Sequence, residues 1–108
     1  MAILFEKRVT KDELTHKCVL LIDDAGKDYT ADITGGAQTL EFYSEGKHYQ
    51  AEVHEFFVGG AFKKGLITPV AADGSNNFFF EKSLTQGKRL RVSFEKGKLE
   101  LEIFLVTR

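Results

Sequence analysis

The stretch Arg89-Leu90-Arg91-Val92-Ser93-Phe94-Glu95-Lys96-Gly97-Lys98-Leu99-Glu100-Leu101-Glu102-Ile103-Phe104-Leu105 decides the class of fold. Leu90, Val92 and Phe94 alternate with Arg89, Arg91 and Ser93. Beyond Lys98, Leu99, Leu101, Ile103 and Leu105 alternate with Glu100, Glu102 and Phe104. A period of two is the mark of a strand with one face buried. A two-residue loop at Lys96-Gly97 sets Phe94 against Leu99, Val92 against Leu101 and Leu90 against Ile103. The other face then pairs Glu95 with Lys98 and Arg91 with Glu102. A three-residue loop would put Ser93 opposite Leu99 and mix the faces, so parity selects the shorter turn.

The same arithmetic extends outward, because Gly-Lys recurs at Gly26-Lys27, Gly46-Lys47, Gly87-Lys88 and Gly97-Lys98. A loop at Glu45-Gly46 pairs Phe42 with Tyr49 and Leu40 with Ala51. A loop at Ala25-Gly26 pairs Ile22 with Tyr29, Leu20 with Ala31 and Cys18 with Ile33, though it also faces Asp23 with Asp28. Further strands are expected at 2–9, 53–58, 66–71 and 76–82. Gly59-Gly60 and Ala72-Asp73-Gly74-Ser75 mark loops. Pro69 makes its strand an edge or a bend, since proline cannot donate to a ladder. One short helix fits residues 11–16. Thr10 and Glu13 have the capping-box spacing there, and Val9 and Leu14 that of a hydrophobic staple. The expectation is an all-β chain: a small antiparallel meander of about eight to nine strands, forming a barrel or sandwich, with one short helix near residues 10–17.

The 108 residues suit a single domain, 1–108, with enough hydrophobic content (43%) for a core. Ten phenylalanines and no tryptophan exclude a disordered composition. No apolar run approaches a membrane span. Glu6, Lys7 and Arg8 interrupt any leader-like segment, and the lone Cys18 forms no internal disulfide, so a cytoplasmic location without membrane contact is expected. Residues 1–59 carry six basic and eleven acidic side chains, and residues 60–108 carry nine and five. That imbalance becomes a field only if the folded chain clusters it.

Catalytic and metal-binding patterns are weak. Cys18 and His16 are a nucleophile and a base in type, but Cys18 falls on the expected inner face, where a thiol is ordinarily inert. His16, Cys18, His48 and His54 lack a zinc spacing. Asp23, Asp24, Asp28 and Asp32 lack the order of a calcium loop and have the composition of a turn. The six residues Asp32-Ile33-Thr34-Gly35-Gly36-Ala37 are similar to the second motif of the PilZ domains. They are one residue short before the glycines, and no paired-arginine motif precedes them, so no family is assigned. Neither an enzyme nor a cofactor is expected.

Two groups of residues suggest binding. Phe56 and Phe57, and Phe78, Phe79 and Phe80, would place aromatic rings on both faces of their strands. The outer rings would then meet a partner, in a homodimer or on another protein. This is the first functional expectation: a non-enzymatic interaction module, self-associating through its Phe-rich strands. Tyr43, His48, Lys63, Lys64, Lys88, Arg89 and Arg91 form the second group. Aromatic and cationic side chains together suit single-stranded nucleic acid. A third reading is a barrel that holds a small apolar ligand.

Overall fold

The computed structural model describes residues 3–81 and 84–104. In chain order the elements are β1 (Ile3–Arg8), α1 (Lys11–His16), β2 (Cys18–Val19), α2 (Thr30–Thr34), β3 (Thr39–Ser44), β4 (Lys47–Val58), β5 (Ala61–Ile67), α3 (Phe78–Glu81), β6 (Arg89–Glu95) and β7 (Lys98–Phe104). The strands form one sheet in the order β1-β6-β7-β3-β4-β5-β2. Every neighbouring pair is antiparallel except β3 and β7, which run parallel with Phe42 opposite Leu99. The mostly-β expectation is met. The details differ: seven strands replace eight or nine, the sheet is mixed, and it does not close into a barrel.

Both alternation-rich hairpins have the expected register. β6 and β7 pair Phe94 with Leu99, Val92 with Leu101, Leu90 with Ile103 and Arg91 with Glu102. β3 and β4 pair Phe42 with Tyr49 and Leu40 with Ala51. Their turns have positive φ at both central residues: 53° and 78° at Lys96-Gly97, and 52° and 80° at Glu45-Gly46. This primed geometry matches the twist of the flanking strands. α1 starts with the capping box, as Thr10 Oγ1 accepts from the Glu13 amide and the Glu13 carboxylate accepts from the Thr10 amide.

Two expected strand regions take other forms. The hairpin at Ala25-Gly26 is replaced by a loop leading into α2. Asp23 Oδ1 accepts from the amides of Ala25 and Lys27, at 3.0 and 2.9 Å. Ile22 consequently bridges Asp28 rather than Tyr29. Asp28 Oδ1 then accepts from the Thr30 amide at 2.8 Å, and the chain turns helical where Ala31 and Ile33 were expected to pair. The strand expected at 76–82 is also absent over its described residues. Phe78–Glu81 forms a single helical turn, so Phe78 and Phe79 do not alternate across a sheet. The strand expected at 66–71 ends at Ile67, before Pro69.

All seven strands contribute to one core, which includes Phe5, Val19, Phe42, Tyr49, Leu66, Val92 and Leu101. Phe78 plugs it from α3. Its ring stands edge-on to Phe42 at 5.1 Å and to Tyr49 at 5.3 Å, the favoured aromatic geometry. The terminal strands of the order, β1 and β2, are joined by side chains instead of a ladder. Lys7 Nζ lies 2.6 Å from Glu13 Oε1 and donates to the Leu20 carbonyl at 2.9 Å, while the Leu20 amide donates to Glu13 Oε2 at 2.9 Å. Both side chains of this ion pair are buried.

Candidate functional site

β4 is long, with twelve residues, because it serves two partners in turn. Its first half pairs with β3 as far as Glu52, and its second half pairs with β5 from Glu52 to Val58. β2 covers β5 only at Leu66 and Ile67. Residues 53–58 and 61–65 therefore form a two-stranded extension closed by Gly59-Gly60. The Val53 amide makes the link towards β3, donating to the Gln38 carbonyl at 2.8 Å. Backbone direction alternates along a strand. Glu55 and Phe57 thus aim their N–H and C=O groups away from β5, and Phe62 and Lys64 aim theirs away from β4. Both edges of the extension are open in the ladders formed by the described residues.

The two faces of this extension differ. One face carries Phe56, Val58 and Gly65 and is covered by α1 and the segment after it. The His16 ring lies 5.0 Å from the Phe56 ring. A Cβ on Gly65 would come within 3.0 Å of Leu20 and 3.2 Å of Cys18 Sγ, so these side chains rest directly on the glycine backbone. The opposite face continues the row that meets the core at Val53 and Leu66, and then runs past the end of the core. There Phe57 faces Phe62 and Glu55 faces Lys64. The two phenylalanine rings touch edge-to-face at 5.1 Å, yet Phe57 is 61% exposed and Phe62 68%. Phe62 was missed by the sequence reading. The two-residue arithmetic applied to Gly59-Gly60 sets Phe57 against Phe62 and would have found it.

The other aromatic candidates lie elsewhere. Phe78 is fully buried, and Phe79 is half-buried beside it with ring centroids 5.9 Å apart. The side chain of Phe80 lies outside the described part of the chain. Tyr43 and His48 do form an outer pair at 5.2 Å, with Lys98 Nζ 4.7 Å above the Tyr43 ring and Glu41 3.0 Å from His48 Nε2.

The basic candidates fall in separate places: Arg89 and Arg91 share one face of β6, and Lys63 and Lys64 lie on β5. Lys63 and Lys64 point to opposite faces of β5. Lys63 lines a cleft of about 230 Å³ with Arg8 and with Asp12, Asp23 and Asp24. Lys88 is half-buried beside β1, its carbonyl accepting from the Val9 amide at 2.7 Å. Arg89 lies 3.9 Å from Asp24, and Arg91 lies 3.0 Å from Glu6.

Cys18 is buried, and burial, followed by the nearby Glu13 carboxylate, pushes its thiol up to about 12. Such a thiol is not a nucleophile at neutral pH. Asp23 and Asp28 spend carboxylate oxygens on backbone amides of their own loop, and Asp24 accepts from the Arg8 amide at the end of β1. Among the described residues no three His, Cys, Asp or Glu side chains are grouped to hold a metal ion. No helix among them is long and apolar enough to cross a membrane. No family model matches this chain, and no curated protein or solved structure matches it either.

Proposed function

We propose that this chain is a non-enzymatic protein-interaction module that docks through the bare face of the β4–β5 extension. The observation that carries the reading is the Phe57–Phe62 pair: two large rings, each more than half exposed, fixed against one another on a two-stranded platform with open edges. Aromatic side chains held in place before binding lose little entropy on docking, and they dominate interface energetics. Open strand edges invite pairing with another chain. The other two readings have less support. The interior is occupied by Phe42, Tyr49 and Phe78, which leaves surface clefts for a small ligand, and the separated basic residues offer nucleic acid no continuous track.

The test is site-specific photo-crosslinking in cells, with a benzoylphenylalanine at position 57 or 62 of the full chain. Leu4, 66% exposed on β1, serves as the control position. Discrete protein adducts from 57 and 62 and none from 4 are expected. Equal labelling from all three positions, or none from 57 and 62, would refute the proposal.

A further inference from the structure

We infer that the occupant of this surface is an extended, basic segment of another protein, added as a strand along the open edge of β4 and antiparallel to it. This rests on the reading of the extension as a docking surface and names the chemistry of its partner. β3 leaves the edge of β4 after the bond from the Val53 amide to the Gln38 carbonyl. Continued in the same register, it would set Gly36 against Glu55 and Thr34 against Phe57. It does not continue, because Gly35 and Gly36 turn the chain at φ 61° and 84°. The Gly36 amide donates to Thr34 Oγ1 and the Ala37 amide to the Thr34 carbonyl, so both serve that turn and not β4. Residues 35–38 are exposed, as are His54, Glu55 and Phe57. The lane beside Glu55 and Phe57 is thus open to an incoming strand.

The edge of β5 is more crowded. Leu20 rests on Gly65, and Leu20, Ile22, Asp23 and Asp24 line a cleft with Lys63 and Gly59. Lysines on a strand edge also discourage pairing. Charge then selects the partner of β4. From Glu52 to Val58 this strand carries two glutamates and no lysine or arginine. The exposed Glu55 carboxylate forms no ion pair among the described residues. In antiparallel addition, Glu55 and Phe57 would each exchange two backbone hydrogen bonds with the residue opposite. The residue opposite Phe57 comes two positions before the one opposite Glu55. Both side chains would lie on the bare face, one against the Phe57 ring and one beside the carboxylate. The fitting segment therefore reads apolar-x-Lys or apolar-x-Arg. Main-chain bonds supply its affinity, and the alternate side chains supply its selectivity.

The experiment is selection of phage-displayed random dodecapeptides on the full chain, followed by fluorescence titration of the selected peptides in synthetic form. Enrichment of apolar-x-Lys or apolar-x-Arg is expected. N-methylation at either residue of that pair removes a bond to β4 and should weaken binding by about tenfold or more. Methylation of the residue between them should change little, because its N–H points away from β4. Glu55→Lys should weaken these peptides by about three- to tenfold and favour versions with Glu in place of the cation. No enrichment, enrichment of acidic peptides, or equal effects of methylation at all three positions would overturn the inference. Peptides that respond to Phe57→Ala and Phe62→Ala but not to methylation would refute strand addition while leaving the docking surface standing. Crosslinked adducts from positions 57 and 62 at twice the chain's mass would do the same, by naming a second copy as the occupant.

Discussion

Glu13 shows how one side chain can serve local and long-range ends together. Its spacing from Thr10 marks the start of a helix, and it does cap α1. Its larger role, joining Lys7 on β1 to the backbone of Leu20, was not legible. That role depends on the left-handed turn at Lys17, which brings the chain back beneath the helix. Removing one member of a buried ion pair strands the other, at a cost of about 3–5 kcal/mol. Glu13→Ala should therefore lower unfolding free energy by that order in urea titration, while the double variant Lys7→Met/Glu13→Leu should lose much less. Equal losses would mean that the pair contributes no more than its packing. Cys18 gives a pH signature of known sign. Its thiol ionises near 9.0 when unexposed to the fold's influence and near 12 inside it, so the unfolded chain releases the proton first. The stabilisation is complete below pH 9 and is lost as pH rises towards 12. Cys18→Ala should flatten the alkaline fall of stability relative to wild type. Parallel curves for the two proteins would contradict the burial assigned to this thiol.

At the scale of elements, hairpins were legible where alternation ran unbroken on both sides of a two-residue turn, as at Lys96-Gly97 and Glu45-Gly46. They were not legible where side chains competed for the backbone, as Asp23 and Asp28 do. No pairing arithmetic registers that competition. Phe78-Phe79-Phe80 misled for a related reason. Aromatic residues favour strands, but a ring that plugs a core needs depth rather than extension, and one helical turn supplies it. The primed turns carry a prediction. Lys96 and Glu45 sit at left-handed φ, which costs an ordinary side chain about 1 kcal/mol or more and asparagine less. Lys96→Asn and Glu45→Asn should each raise the midpoint of thermal unfolding, by about 0.5–1 kcal/mol in free energy. No change in either would argue against the primed geometry. Gly65→Ala tests the covered face of the extension. Its methyl group would lie 3.0 Å from Leu20 and 3.2 Å from Cys18 Sγ, so these buried side chains must give way, and a loss of about 1–3 kcal/mol is expected in the same melts.

At the scale of the molecule, the parallel pairing of β3 with β7 was invisible in the sequence, because non-local neighbours leave no local mark. It joins the group β1-β6-β7 to the group β3-β4-β5-β2. Leu90, Val92, Leu99 and Leu101, all buried, enter the core from β6 and β7. A chain stopped after Gly87 should show no cooperative melt and no dispersed amide spectrum. A folded fragment would mean that the β3–β4–β5 group is self-sufficient.

The strand order also has a consequence for biosynthesis. β1 leaves the ribosome before the other six described strands, yet its partner is β6, with Phe5 opposite Val92. At about 5–20 residues per second, the intervening chain takes roughly 4–17 s to make. For that interval Ile3–Arg8 is a strand with no ladder, able to join any edge it meets. Glu6, Lys7 and Arg8 are the kind of charges that discourage such meetings. Before they hold the finished sheet together, these residues guard the nascent chain.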